Sequence, residues 1–506
     1  MIAAIASGLL VALAFPWPGL WPLAFVALAP LLVALDGRSA GRGALLGGVA
    51  GLVSFALVLR WVAPLSAWGY GALCLYLALY PAAFGAIATR LLRGGVWPRA
   101  AVPAVWVVLE WARGWIAGGF SWAALGYSLA PSAPLRQGAS LAGVALLSLV
   151  LAATATCLAA AWPAVRARRW RRALRPMLAA AALPALLALH GAIVLGGDAR
   201  GATMRVAVVQ ADLSARDRWR PGVVATALSR YATITDAAMV DRPELVVWPE
   251  TAIPTTLDEG VGLAIRARAL RTRIEEAWHV PLVFGVPEVA PGDGERYYNA
   301  AVMYGPGGVR PPSYRKRRLV PFGEYTPWPA IFGALPRPLP GPEFVFGGGG
   351  APFEVGAARV GVLICFEDVF ADEAVARAAH ADLLVSLTND GWFGATGAAQ
   401  HLDIARMRAV ETGRAVARAA NTGVSALVDD RGRILASAAA GPGHATAALP
   451  LGRRRTLFAW APDLLPLVLL ALVLAALADV LILNRVSGDR TAGASPGSRA
   501  EPPARR

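Results

Sequence analysis

Long apolar runs, broken by short arginine- or proline- and glycine-bearing segments, fill the first 200 positions of the chain. Seven can be counted, at roughly 2–17, 20–35, 43–62, 68–91, 100–118, 138–165 and 177–197, the first two short and split by Pro16 and Pro18. Each approaches the ~20 residues a helix needs to cross about 30 Å of hydrocarbon. An eighth run, Leu464 to Leu483, stands alone near the C-terminus after a long, more polar stretch. Between 204 and 450 the pattern changes to short β-rich runs: 204–210, 245–248, 282–284, 360–364 and 383–387, spaced by helical or loop sequence. These runs are apolar on both faces, so they predict sheets covered on both sides, a layered α/β sandwich. His401 to Ala419 reads as an amphipathic helix, and the Gly-, Ser-, Pro- and Arg-rich tail from Ser487 as disordered.

Composition agrees with a membrane protein. The 506 residues are 56% hydrophobic and 16% charged, with mean hydropathy +0.51, whereas soluble domains carry about 25% charge. The net charge of +15 is consistent with nucleic acid, anionic lipid or cytoplasmic loops as its reason, and position decides among them. Arg38 and Arg42 follow the second run, Arg90, Arg93 and Arg99 the fourth, and six arginines from Arg166 to Arg175 the sixth. The intervening loops hold only Arg60, Arg113 and Arg136. By the positive-inside rule the N-terminus and even-numbered exits are cytoplasmic, the 198–460 segment lies outside, and the last span returns the tail to the cytoplasm. No basic n-region or cleavage site precedes the first run, which therefore reads as a retained span. Cys74, Cys157 and Cys365 have no metal or disulfide spacing and the five histidines are scattered, so no metal, no cofactor and no nucleic-acid partner is expected.

Polar residues that end apolar strands are held rigidly yet face a cleft. Glu250 follows Leu245-Val-Val-Trp-Pro249, Lys316 lies in Tyr314-Arg-Lys-Arg-Arg-Leu-Val-Pro-Phe-Gly-Glu324, and Cys365 ends Val360-Gly-Val-Leu-Ile364. Taken alone, Cys365 reads as a buried packing thiol or as a nucleophile, which would need a base or a positive charge beside it. Glu250 could be that base or a solvated strand-end carboxylate. Lys316 is the one lysine among 48 basic residues, which points to a place where a compact ammonium is required, such as an oxyanion site, or to chance survival in a basic loop.

Trp248-Pro-Glu250, a lysine upstream of Leu319-Val-Pro-Phe-Gly-Glu324, and Ile364-Cys-Phe-Glu367, in this order, resemble the Glu-Lys-Cys signature of the nitrilase, or carbon-nitrogen hydrolase, superfamily. With spans on both sides, the chain resembles the apolipoprotein N-acyltransferase family. Asn389-Asp-Gly-Trp-Phe-Gly394, Gln400-His401, Ala405-Arg-Met-Arg-Ala-Val-Glu411 and Asn421-Thr-Gly423 extend the match. The resemblance implies Glu250 as general base, Lys316 as oxyanion stabiliser and Cys365 as nucleophile. Glu324 is implied as a supporting acid, with Trp219, Phe366 and Glu367 at further positions of the site. Phe366 stands where the family carries tyrosine, and Thr422 where asparagine is frequent.

The implied fold is a polytopic helical membrane domain of about eight transmembrane helices plus an extracytoplasmic nitrilase-like α-β-β-α sandwich. The expected boundaries are 1–200, 201–455, 456–486 for the last span and 487–506 for the tail. The implied reaction is ping-pong: Cys365 takes an acyl chain from a phospholipid, with phosphatidylethanolamine the expected donor, and passes it to the α-amino group of a diacylglyceryl cysteine on an apolipoprotein. The implied place is the bacterial inner membrane with the catalytic domain in the periplasm, and the chain is expected to act as a monomer. Tyr325 to Phe346 reads either as a lid or lipid-facing arm hinged at Gly347 to Gly350, or as simple packing of a solvated loop. A tethered amidase acting on a small soluble amide leaves seven spans without a job. A transporter leaves the three polar residues idle, and its spans would hold few ionisable groups beyond Glu110 and Arg113, which read as a local ion pair.

Overall fold

The computed structural model describes residues 1–197, 201–213, 222–256, 268–292, 296–306, 312–334, 341–438, 440–452 and 454–492. Its helical part consists of α1 (Ile2–Ala14), a short broken helix (Trp21–Leu35), α2 (Ala40–Val58), α3 (Ala67–Arg93), α4 (Val102–Arg113), α5 (Ala139–Arg166), α6 (Trp170–Gly196) and, after the sandwich, the helix Leu464–Ala492. Among the described residues five of these, α2, α3, α5, α6 and Leu464–Ile482, are long and apolar enough to span a membrane. The first two apolar runs form shorter helices, and α4 is only 12 residues, about 18 Å. Gly114 stops α4, and Gly118 and Gly119 then take positive φ values of 90° and 85°, so the rest of the fifth run folds back as a loop rather than extending the helix.

Small residues let the helices meet. Gly43, Gly47 and Gly51 recur every four residues on α2, and a Cβ on Gly47 would collide with the carbonyl oxygen of Pro81 on α3. In an apolar solvent such close backbone approach replaces the hydrophobic effect as the packing force.

The sandwich begins with β1 (Thr203–Gln210), α7 (Val223–Ala238), β2 (Leu245–Val247), β3 (Leu282–Val289), β4 (Tyr297–Tyr304) and β5 (Tyr314–Arg315). It continues with β6 (Phe353–Val355), β7 (Ala358–Ile364), α8 (Ala371–Ala378), β8 (Leu383–Thr388), α9 (Gly394–Thr412), β9 (Val416–Ala420), β10 (Ala426–Val428), β11 (Ile434–Ser437) and β12 (Gly443–Pro450). One mixed sheet runs β12-β1-β2-β3-β4-β5 and the other β11-β10-β9-β8-β7-β6. The inner faces meet in one core, with Val206, Val208 and Val247 against Val360, Val362 and Val385. The outer face of the first sheet packs Val246 and Trp248 on Tyr231 of α7, and that of the second packs Leu363 and Leu384 on α8 and α9. That double coverage is why the strands read apolar on both faces.

The sandwich is seated on the helical part through α9. Glu411 accepts the N–H of Val144 on α5 at 2.9 Å, Arg408 donates to the Tyr127 hydroxyl at 2.8 Å, and Gln400 donates to the Val58 carbonyl at 3.0 Å. The final helix follows β12 and runs to Ala492, past the expected start of the tail.

Candidate active site

Three strand ends converge. Glu250 lies three residues beyond β2, Lys316 one beyond β5, and Cys365 one beyond β7. The Lys316 ammonium donates to Glu250 Oε1 at 3.1 Å and to Glu324 Oε1 at 2.9 Å, in a space where the lysine is 1% exposed. Burial disfavours its charge, but the two carboxylates outweigh that cost, and its pKa is raised. A lone ammonium between two carboxylates accounts for the survival of this lysine better than a basic surface loop does.

Cys365 is buried at the junction of the two sheets, where both Glu250 and Lys316 act on its sulfur. Its φ of 50° lies in the left-handed region, so the chain turns sharply at the thiol. Burial pushes the thiol pKa well up and Glu250 pushes it further, against the pull of Lys316 and of hydrogen bonds with Thr388 and the Asn389 backbone. The resting sulfur is therefore a thiol, and attack requires a base to take its proton.

Glu250 is held by its backbone. Thr251 beside it has φ 48°, and a Cβ on Gly285 of β3 would sit 2.7 Å from the Glu250 Cα. Only a glycine lets β3 pass so close.

The supporting residues separate into three situations. Glu324 joins the ion cluster, and its second oxygen accepts the Val320 N–H at 2.8 Å. Glu367 is buried beneath the turn, accepting from Tyr314, from the backbone of Arg317 at 2.6 Å and from that of Ile364 at 2.7 Å, and burial raises its pKa to about 7. Phe366 packs edge-on against Phe370 at 5.1 Å, in the core shared with the helical part. Trp219 lies outside the described residues.

Two features escaped the sequence reading. Asn299, the polar residue inside the Tyr297-Tyr-Asn-Ala-Ala strand, donates through Nδ2 to both Glu250 and Glu324 at 2.7 Å each. Its isolation in an apolar strand was the available signal. His401 lies between Asp368 at 2.6 Å and Asp390 at 2.9 Å, while Arg418 donates to both oxygens of Asp390. Burial opposes its charge, Asp368 outweighs that, and its pKa rises to about 9, so an imidazolium clamps the turn after Cys365 to the end of β8. Trp122 of the helical part packs on the same ring at 5.2 Å.

The arm expected at Tyr325 to Phe346 is described except for 335–340. Trp328, Ile331 and Phe346 are exposed, and Phe332 packs on Phe322, which meets Trp68 of α3 at 6.3 Å. The glycines expected as a hinge are instead tied down: Gly347 donates to the Lys316 carbonyl and Gly349 pairs with Arg315 in both directions. Glu110 and Arg113, expected as an ion pair, act on each other electrostatically without a close contact, and Glu110 accepts from Trp106 and the Leu125 backbone.

The profile of the apolipoprotein N-acyltransferase N-terminal domain matches residues 7–157, and that of carbon-nitrogen hydrolases matches residues 205–457. The apolipoprotein N-acyltransferase of Geobacter metallireducens is 34% identical over 86% of this chain and 86% of its own. The chain belongs to the apolipoprotein N-acyltransferase family. The Nitrosomonas europaea member of the family is 35% identical over 86% of this chain and 88% of its own. Among solved structures, the C. elegans NitFhit protein covers 52% of this chain and 64% of its own at 20% identity, with a TM-score of 0.41, and at that score it adds nothing to the fold described above. Membership in this family accounts for a helical membrane part and a nitrilase-like sandwich in one chain.

Proposed function

We propose that this chain moves one acyl chain from a phospholipid, by way of a thioester on Cys365, to the α-amino group of the diacylglyceryl cysteine that begins an apolipoprotein, the last step of lipoprotein maturation. The observation that carries this reading is the buried thiol that shares one cluster with Glu250 and Lys316, in a sandwich seated on apolar helices. Glu250 takes the thiol proton as Sγ attacks the ester carbonyl, and the Lys316 ammonium stabilises the oxyanion. The proton then passes to the glycerol oxygen, and the lysophospholipid leaves. In the second half Glu250 takes a proton from the attacking amine, and the thiol is regenerated as the amide forms.

Glu324 and Asn299 hold Lys316 and Glu250 in register, Glu367 braces the turn that carries Cys365, and Phe366 gives the site an apolar wall. Trp219 is retained as a substrate contact on the family resemblance. Tyr325 to Phe346 serves as a lipid-facing arm, since its exposed aromatics would be costly in water.

We read residues 1–200 as the membrane domain, 201–455 as the catalytic domain, 456–486 as the last span and 487–506 as the tail. The arginine distribution supports an inner-membrane enzyme with its catalytic domain in the periplasm. A monomer using phosphatidylethanolamine completes the reading. Both substrates are lipid-anchored, so a site fixed at the bilayer surface replaces a three-dimensional search with a local encounter.

Intact-protein mass spectrometry after incubation with phosphatidylethanolamine and no acceptor tests the reading. A hydroxylamine-labile gain of one acyl chain is expected, absent in Cys365→Ala and discharged by a diacylglyceryl peptide. A folded enzyme that stays unmodified would exclude phospholipid as donor and favour a tethered amidase.

A further inference from the structure

The helical part gathers positive charge at the end away from the sandwich. α5 meets the sandwich at Val144, whose N–H donates to Glu411, and 22 residues of helix, about 33 Å of rise, separate that contact from Arg166 at its far end. α6 runs back, and its Leu195 carbonyl accepts from Arg431 of the sandwich at 3.4 Å. The turn that joins the two helices therefore lies across about 30 Å of hydrocarbon from the sandwich. Arg166, Arg168, Arg169, Arg171, Arg172 and Arg175 crowd into this turn and the helix ends beside it, and all six are exposed.

These arginines have no counter-charge in the chain around them. No aspartate or glutamate occurs between Glu110 and Asp198. Among the described residues none of the six side chains makes a hydrogen bond or an ion pair. Elsewhere at the same end Arg93 donates to the Arg38 carbonyl and Arg99 to the Leu92 carbonyl. Arg168 takes a φ of 53°, where glycine would be relaxed, so the turn carries a charged side chain against its backbone preference. Like charges this close repel one another, and an anion bound among them relieves the repulsion. An apolar stripe starts at the same turn. Trp170, Leu174 and Leu178 recur every four residues on one face of α6 and are 60%, 55% and 59% exposed. Arg171 and Arg175 flank that stripe, and a helical side chain leans toward the N-terminal end, which carries Arg175 back toward the turn.

We propose that this hairpin binds anionic phospholipids of the leaflet opposite the sandwich, their phosphates on the arginines and an acyl chain along Trp170, Leu174 and Leu178. A guanidinium fork takes two oxygens of a phosphodiester, and clusters of about four to eight basic residues beside a span collect anionic headgroups. A zwitterionic lipid brings its own ammonium beside the phosphate and relieves less of the repulsion. Nucleic acid or an acidic protein supplies the charge but leaves the apolar stripe unused. The proposal rests on the membrane reading of the helical part and not on the Cys365 chemistry, so the failure of either leaves the other standing.

The test uses the full chain in phosphatidylcholine nanodiscs doped with a trace of either of two photoprobes, a phosphatidylglycerol or a phosphatidylcholine. Both carry ether-linked chains, which acyl transfer cannot consume, and a diazirine near the headgroup end of one chain. After irradiation, labelling is mapped by mass spectrometry of peptic peptides. Over residues 162–178 the phosphatidylglycerol probe should exceed the phosphatidylcholine probe by at least about fivefold. Around Leu186, Leu189 and Ile193, exposed toward the other end of α6, the two should label about equally. The excess over 162–178 should vanish in the combined variant Arg168→Gln, Arg171→Gln, Arg175→Gln, whose melting temperature and thioester formation at Cys365 stay as in the wild type. It should persist when the same three positions carry lysine. If the glutamine variant fails to fold, the wild type in 1 M salt takes its place, because exposed charges are screened there within ~3 Å and the excess should collapse. The proposal is overturned by equal labelling with the two probes over 162–178 in the wild type, by an excess that survives in the folded glutamine variant or in 1 M salt, or by displacement of the phosphatidylglycerol probe by an equimolar oligonucleotide, which would make nucleic acid the occupant.

Discussion

The ammonium of Lys316 fills a space bounded by two carboxylates, and a guanidinium there is longer, planar and wrong in its donor directions. Lys316→Arg should therefore lower acyl transfer by at least about 100-fold while the protein stays folded, read as single-turnover thioester formation beside the melting temperature. Lys316→Met should behave differently, because it takes the countercharge away from the buried Glu250 and Glu324 carboxylates and leaves them the neutral donors of Asn299 and Val320. A loss of about 3–5 kcal/mol in unfolding free energy is expected, and an unchanged melting temperature would contradict the buried cluster. Gly285 offers a test that touches no reacting group. Gly285→Ala pushes on the Glu250 backbone, so the thioester rate should fall with little change in phospholipid KM.

At the scale of elements, two contacts decide how helices sit. The glycines of α2 face Pro81 and Gly85 of α3, and Gly47→Leu should cost more than the usual ~1–3 kcal/mol of overpacking because backbone, not a side chain, would have to move. Its melting temperature in detergent should fall, whereas Gly48→Ala, whose added Cβ meets only the Ala82 side chain at 3.5 Å, should be near neutral. On α9, the His401 imidazolium joins the turn after Cys365 to the end of β8. Its pKa is about 6.5 in the unfolded chain and about 9 in the fold, so its stabilisation is complete below pH ~6.5, declines above that and is lost past pH ~9. Glu367, raised by burial to about 7, adds no further slope above that pH. A Cys365→Ala background removes the thiol. Between pH 7 and ~9 that protein should therefore lose melting temperature steadily, and the slope should flatten in the His401→Gln double variant.

On the scale of the whole molecule, the seam between sandwich and helices combines an apolar cluster, to which the sandwich gives Phe366, Phe370, Ile404, Met407 and Val410, with polar and aromatic contacts. Trp61 and Trp122 both donate to Gln400, Trp122 packs on His401, and Arg408 and Glu411 reach across to Tyr127 and Val144. The reacting cluster and the membrane part are thus joined through α9, and Trp122→Ala should be felt at Cys365. A lower thioester rate together with faster proteolysis at the seam is expected, and normal chemistry with a loosened seam would separate the two parts functionally.

Much of this was legible along the chain. Run length and hydropathy marked the helical part, because a span must hide every backbone group and cover about 30 Å whatever its neighbours do. Strands covered on both faces had to read as continuous apolar runs, and the three polar residues at strand ends stood out against them. Length along the sequence did not reveal that the fifth run stops at Gly114, since a turn built on glycine φ values is as apolar as the helix it ends. Nor could spacing show Asn299 between two carboxylates or His401 between two aspartates. Those partners lie on separate elements or depend on rotamers, and only the packing of one layer on another brings such groups within hydrogen-bonding distance.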